Sequence, residues 1–258
     1  MNNTAQRVSN LHVLSWNTSS VAKKGFQLQM LIDDHKPHLI LLQETYLKPH
    51  HTPTVYRDYT WHRQDRLRDK RGGVAILVHK SVDFTPAPPP PNIVHTEVIG
   101  GHISTTEGRL YVARVYIPPK KGRKKELGRI LRSEPYLLIA GDLNAHWEPW
   151  GSRSSNNTGN YVDHWVNELN LNIHIHSEAT RVHPKDRGKD TIVDYALTHE
   201  HLTQVEITVH PQLDSDPKPI SFISSTFNIF TTPNFKTLRD WEGIASDIHH
   251  MELHPPNS

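Results

Sequence analysis

The sequence predicts a mixed α/β fold, a two-sheet sandwich flanked by helices. Three observations carry this expectation. Short runs rich in Val, Ile, Leu and Tyr recur up to about residue 225, each bounded by Gly, Pro, Asn or Asp. Helical patterns are fewer, but two of them fall between strand-like runs, which favours layered sheets and helices over an all-β barrel. The hydrophobic content of 35% is dispersed in runs no longer than Val74–Val78, enough for a core shared by many short elements.

Taken in order, the expected strands are Leu11–Trp16, His38–Leu42, Val74–His79, Leu110–Ile117, Tyr136–Ala140, Ile192–Leu197, Val205–His210 and Ile220–Ile223. The expected helices are Phe26–Asp34 and Tyr161–Leu169, the second preceded by Asn156-Asn157-Thr158 as caps. Pro86–Pro91, broken only by Ala87, reads as a stiff extended connector inside the domain. After about Ser225 the strand pattern fades. Residues 1–226 are therefore expected to form the domain. Residues 227–258 form a tail or linker with one weak helix around Leu238–His249, too short to bury a core of its own.

Composition removes several classes. A membrane span needs about 20 apolar residues, which no run approaches. The segment Met1–Asn10 is polar and lacks the apolar stretch of a signal peptide, so an intracellular protein is expected. With no cysteine, neither a disulfide framework nor a thiolate zinc site is available. Net charge is only +2, but it is unevenly spread: Lys120–Arg132 carries seven Lys/Arg against one Glu, and Arg57–Arg71 six against three Asp. Such runs either meet phosphates or form solvated faces. The 20 histidines lack ligand spacing and read as composition bias.

Polar residues stand at the ends of strand after strand. Asn17 closes the first, Glu44 the second in Gln43-Glu44-Thr45, and Tyr116 precedes Pro118. Asp142 and Asn144 follow Leu138-Ile139-Ala140-Gly141; Asp194 lies in Ile192-Val193-Asp194-Tyr195, and Asp216 follows Ser215 before the last strand. Taken singly, such residues are more often turn formers or caps. Together they suit phosphoryl chemistry with a hard cation. Mg²⁺ takes oxygen ligands, commonly one or two carboxylates completed by water and phosphate, while another carboxylate positions or deprotonates the attacking water.

Gly141-Asp142-Leu143-Asn144-Ala145, with Gln43-Glu44-Thr45 about a hundred residues before it and Ser215-Asp216 about seventy after, resembles the endonuclease/exonuclease/phosphatase family. The likeness covers roughly residues 10–225. Within the family, Ala145-His146-Trp147-Glu148-Pro149-Trp150-Gly151-Ser152, with Arg71-Gly72-Gly73-Val74-Ala75 upstream, is similar to endonucleases of non-LTR (LINE-type) retrotransposons. Asn160-Tyr161 to Leu171-Asn172-Ile173 and Asp190-Thr191-Ile192-Val193-Asp194 continue that similarity.

The resemblance implies a four-layer arrangement and a role for each position. Glu44, with Asn17 and Asp216, would hold the metal, Mg²⁺ or alternatively Mn²⁺. Asp142 would align or deprotonate the nucleophilic water, Asn144 would hydrogen-bond the phosphate, and Tyr116 would donate to a phosphate oxygen in the transition state. Asp194 would orient a catalytic histidine directly after Asp216. Here the family's pattern fails, because the sequence reads Ser215-Asp216-Pro217. Proline has neither a titratable group nor an amide hydrogen. On this reading Asp194 is left without its partner.

The family resemblance implies a double-stranded DNA substrate, nicked to expose a 3′ hydroxyl for target-primed reverse transcription, with action in the nucleus. Lys185, Arg187 and Lys189 lie where related endonucleases place a hairpin at the DNA groove, and they either contact phosphates or form an exposed polar turn. Two other readings stay open: a DNA-binding remnant crippled at Pro217, and a small-molecule or lipid phosphodiesterase or phosphatase. Residues Asn234–Ile248 resemble the segment joining endonuclease to reverse transcriptase, so a reverse transcriptase partner domain is expected if the chain is a fragment.

Overall fold

The computed structural model describes residues 7–67, 71–118, 124–176, 194–202, 204–211 and 218–231. In chain order the elements are β1 (Arg7–Asn17), α1 (Gly25–His35), β2 (Leu39–Gln43), β3 (Tyr59–Gln64), β4 (Val74–His79), β5 (Phe84–Ala87), β6 (Glu97–Thr105) and β7 (Gly108–Tyr116). They continue with α2 (Lys124–Leu131), β8 (Leu137–Asp142), α3 (Asn157–Glu168), β9 (Leu171–His174), β10 (Asp194–His199), β11 (Val205–Val209) and β12 (Ile220–Thr231).

The strands hydrogen-bond in the order β3-β4-β2-β1-β12-β6-β7-β8-β10-β9, with β11 beside β12 and β5 beside β6. Only the pair Ile229↔Thr105 joins β12 to β6, so the ribbon folds there into two halves that face each other. Alternation along each strand explains the layering, since successive side chains point to opposite faces. Inward-facing Leu11 and Val13, Leu39 and Leu41, Ile76 and Val78 meet Leu110 and Val112, Leu138 and Ala140 in one cluster between the halves. Outward-facing Leu14, Trp16, Ile40, Leu42, Ala75 and Leu77 pack under Leu28, Leu31 and Ile32 of α1. On the opposite side Ala113, Val115, Ile139, Tyr195 and Leu197 pack under α2 and α3 through Leu127, Ile130, Leu131, Val162 and Trp165. The layers are helix, sheet, sheet, helix, the expected sandwich. No helix among the described residues is long and apolar enough to cross a membrane.

The last strand, β12, is longer than the alternation suggested. It runs beyond the boundary expected at 226, pairing Asn228–Thr231 with Arg7–Asn10 across a bulge, and Phe227 and Ile229 are core residues. The sequence reading also passed over α2, whose cations masked its apolar stripe. Within the basic run only Lys124–Leu131 and Arg132 are described, and these are structural: Lys124 Nζ lies 5.6 Å from the Tyr161 ring, and Arg132 lies 4.3 Å from the Trp165 ring and pairs with Glu168 at 3.4 Å. Buried Glu126 accepts the Thr96 amide at 2.8 Å, tying α2 to the loop before β6. Strands β3, β5, β6 and β9 were also missed. Each is short, polar or, for β6, interrupted by Gly100-Gly101, where a Cβ on Gly101 would meet the Phe84 ring at 2.3 Å.

Candidate active site

At one end of the sandwich the inward-facing register turns polar on strand after strand. Leu11 and Val13 are followed by Ser15 and Asn17; Leu39 and Leu41 by Gln43; Leu110 and Val112 by Arg114 and Tyr116; Leu138 and Ala140 by Asp142. On β10, which runs the other way, Ala196 is preceded by Asp194. The site is the rim of the core, where hydrophobic packing gives way to a buried polar layer.

The hydrogen bonds show that these side chains meet. The Asp142 amide donates to Gln43 Oε1 at 3.0 Å, linking β8 across the sandwich to β2 and hence to the neighbouring Glu44. Asp142 and Asp194 are opposite one another in the antiparallel β8–β10 register. Asp142 Oδ1 accepts the Asn144 amide at 2.8 Å, and Asn144 Nδ2 donates to the Ile117 carbonyl at 2.8 Å, beside Tyr116. Glu44 Oε2 accepts the Tyr46 hydroxyl at 2.7 Å. Asn17 pairs with Gln43 in the parallel β1–β2 ladder, and its Oδ1 accepts the Ser19 amide at 3.2 Å. Asn17, Glu44, Tyr116, Asp142, Asn144 and Asp194 therefore belong to one rim, as expected from the sequence. Asp216, Pro217, Lys185, Arg187 and Lys189 lie outside the described residues.

The loops that present these groups are held by backbone contacts. Glu44, Tyr46 and Asn144 adopt left-handed φ values of 50°, 55° and 46°, a conformation that non-glycine residues keep only when their surroundings impose it. Around Glu44 the constraint comes from both sides: the Ser20 amide donates to Glu44 O at 2.9 Å, and the Tyr46 amide to Gly72 O at 2.9 Å. Gly73 (φ 90°) approaches so closely that a Cβ there would lie 2.7 Å from Thr45 Oγ1, which accounts for the Gly72-Gly73 pair. Around Asn144 the constraint is the cap of α3. Asn156 Oδ1 accepts the Gly159 amide at 2.7 Å and the His146 amide at 3.2 Å, while its Nδ2 donates to Asn144 O at 2.9 Å. One capping residue thus starts a helix and pins the site loop.

Electrostatics follow from burial. Burial, then the neighbouring Asp194 carboxylate, pushes the Asp142 carboxyl up to about 8, with Glu44 adding to the repulsion. Burial, then Glu44 and Asp142, likewise raises the Tyr116 phenol, which stays protonated and able to donate. Arg66, over the Tyr116 ring at 5.9 Å and paired with Glu97, works the other way on that phenol.

The sequence reading missed Arg114. It is fully buried, donates through Nη1 to Ser15 Oγ, and places Nη2 3.7 Å from Asp194 Oδ1. This corrects the expectation that Asp194, lacking a histidine after Asp216, has no partner: Arg114 reaches it from within the polar layer. The signal was available, because an arginine at the inward-facing position of Leu110-x-Val112-x-Arg114 breaks an apolar register.

The donor set fits a hard divalent cation. All its ligating atoms are oxygen, from Glu44, Asn17 and neighbouring carboxylates, and the carboxyls of Glu44, Asp142 and Asp194 gather about the single buried charge of Arg114, with Asp142 keeping its proton until pH nears 8. Among the described residues no three His, Asp or Glu side chains form a ready ligand cluster.

Comparison with known proteins agrees with this geometry. The profile of the Endonuclease/Exonuclease/phosphatase family matches residues 14–224. The chain is 29% identical over 219 residues to the "Probable RNA-directed DNA polymerase from transposon X-element" of Drosophila melanogaster, covering 81% of this chain and 24% of that protein. It is 20% identical over 210 residues to the RNA-directed DNA polymerase from mobile element jockey of the same organism, covering 80% and 23% respectively. The chain thus spans about a quarter of the length of these relatives. Among solved structures, the endonuclease domain of TRAS1, a telomere-specific non-LTR retrotransposon, superposes with a TM-score of 0.65 at 21% identity, covering 86% of this chain and 98% of that one. The catalytic domain of Xenopus laevis APE2 does so with 0.64 at 15% identity, covering 87% and 94%. With a family profile that matches residues 14–224, most of its length, the chain belongs to the Endonuclease/Exonuclease/phosphatase family.

Proposed function

We propose that the chain is the endonuclease domain of a non-LTR retrotransposon, cutting one strand of duplex DNA with a divalent metal to expose a 3′ hydroxyl for reverse transcription. One observation carries the reading: the inter-sheet core ends in an acid-rich rim that holds Asn17, Glu44, Tyr116, Asp142 and Asn144 at successive strand ends, with Glu44, Asp142 and Tyr116 close enough to act on one another electrostatically. The similarity to transposon polymerases over only about a quarter of their length supports a domain fused to a reverse transcriptase.

Each residue has a task that its position supports. Glu44 and Asn17, with Asp216, hold Mg²⁺ or Mn²⁺; when bound, the metal offsets charge on the phosphate. Asp142, raised to about 8, accepts a proton from the attacking water once it is itself ionised, as pH climbs towards 8 or as a bound cation offsets its charge. Its Oδ1 is steadied by the Asn144 amide, and the Asn144 side chain is aimed by the Ile117 carbonyl. Tyr116, kept protonated, donates to a phosphate oxygen as charge builds.

The test is nicking of supercoiled plasmid with Mg²⁺ and with EDTA. Metal-dependent conversion to open circles supports the proposal, and release of phosphate from a monoester without nicking would replace it with a phosphatase reading. A second reading, DNA binding without efficient cutting, rests on Pro217. Pro217→His raising a slow nicking rate at unchanged DNA affinity would favour it.

A further inference from the structure

Arg114 is the one fully buried guanidinium in the described core, and nothing in the fold alone calls for it. The inward-facing positions before it, Leu110 and Val112, are apolar, as are those before Ser15 and Asp142. Taking a guanidinium out of water is costly, and an apolar side chain of similar size usually serves packing as well or better. Burial moves its pKa down only to about 10, so it keeps its charge at neutral pH. It also leaves donors over: among the described residues Nε finds no acceptor within hydrogen-bond distance, and Nη2 reaches Asp194 Oδ1 only as an ion pair at 3.7 Å. A structural arginine would be expected to satisfy them. These donors lie in the layer that carries Ser15, Gln43, Asp142 and Asp194, and Asp194, Asp142 and Glu44 all bear electrostatically on the guanidinium.

We propose that Arg114 is a positioning residue for the reaction: its buried cation holds Asp194 opposite Asp142 and sets the net charge that the rim presents to a divalent metal. This rests on the nuclease reading above. Removing the guanidinium makes the rim more negative by one charge and releases Asp194 against Asp142. Metal attraction then rises while the alignment of Asp142 is lost. The two effects have opposite signs, which general damage to the fold cannot produce.

The experiment uses the full chain at pH 8.5 with Arg114→Met, Arg114→Lys, and the double variant Arg114→Met/Asp194→Asn. Mn²⁺ binding is read by calorimetry, and kcat and KM by plasmid nicking. Arg114→Met is expected to bind Mn²⁺ at least tenfold more tightly while kcat falls at least a hundredfold and KM for plasmid stays within threefold. Arg114→Lys should recover at least tenfold of the kcat. The double variant should return Mn²⁺ affinity to that of the unaltered chain without recovering kcat. Weaker Mn²⁺ binding together with lower kcat in Arg114→Met would reduce Arg114 to a structural role, as would recovery of kcat in the double variant. Unchanged Mn²⁺ affinity would overturn the proposal outright. If the unaltered chain binds Mn²⁺ but nicks nothing, the nuclease reading fails and the Mn²⁺ series alone decides Arg114. If it binds no Mn²⁺, both fall.

Discussion

Asp142→Asn should stabilise the metal-free protein while abolishing its activity. The unaltered carboxyl is buried at 4% exposure beside Asp194 and is raised to about 8, against 3.8 for an aspartate in water. The folded state therefore holds a proton that the unfolded chain has released anywhere between those values. Folding stability falls as pH climbs through that window, and the whole cost is present above pH 8. At pH 7 the gap is about three pH units, which at 1.36 kcal/mol per unit gives a ceiling of about 4 kcal/mol. Relaxation of the site brings the expected effect to roughly 2–4 kcal/mol. Asparagine removes the charge, keeps an oxygen for the Asn144 amide, and turns an N–H towards Asp194 in the opposing register position. Urea unfolding followed by tryptophan fluorescence, in EDTA at pH 4.5, 6, 7 and 8, measures the difference between the two proteins. Titrating groups remote from Asp142 are common to both and cancel, while Asp194 and Glu44, which interact with it, contribute to the difference. Asp142→Asn should be more stable at pH 8, with the difference shrinking to about 1 kcal/mol or less at pH 4.5, and adding Mg²⁺ at pH 8 should stabilise the unaltered protein more than the variant. A difference that is absent at pH 8, or that does not shrink towards pH 4.5, would refute the placement of Asp142 as a strained, buried acid.

Four further outcomes follow from named contacts. Gly141→Ala places a Cβ 1.9 Å from the Val115 carbonyl oxygen on the adjacent strand, so β7 and β8 must separate, and chemical denaturation should show a loss of roughly 3 kcal/mol or more. Asn156→Ala removes the α3 cap and the anchor of the Asn144–His146 loop; stability should drop by about 1–2 kcal/mol, and kcat for nicking should fall more than KM rises. His12, His38 and His210 are each held near 4, first by burial and then by neighbouring histidines, with His12 and His210 sharing Ser221 Oγ at 2.8 and 2.7 Å. Because their folded pKa values lie below the unfolded 6.5, stability is intact above pH 6.5 and is lost as pH falls towards 4. Melting of Asp142→Asn across that range isolates the effect, and a flat profile would refute it. Replacing Lys185, Arg187 and Lys189 with alanine should lower both DNA affinity and its slope against log salt, measured by fluorescence anisotropy; an unchanged slope would show that these cations do not touch the backbone.

Much of the fold was legible because its physics is local. Short runs rich in Val, Ile, Leu and Tyr, bounded by turn residues, marked β1, β4, β7, β8 and β11 within a residue or a few of their limits, and the asparagine before α3 announced its cap. Elements whose burial is decided by distant partners stayed hidden. Helix α2 reads as a basic run because its cations lie over aromatic rings of α3. Strand β6 carries Gly100-Gly101 only because the Tyr111 and Phe84 side chains press on it. The second half of β12 is stabilised by the first residues of β1, more than two hundred positions away in sequence. The same distinction governs the site. Glu44, Asp142 and Asn144 stand in recognisable triplets at strand ends. Arg114 belongs to no triplet; its break in the apolar register marks it, but its partners appear only when β7 is laid opposite β1 and beside β8, so that one cation sits among Ser15, Asp142 and Asp194. The sequence treated the missing histidine after Asp216 as a vacancy at Asp194. The fold instead sets against that carboxylate a charge from β7, on the far side of β8, so the consequence of Pro217 depends on what Arg114 already does there.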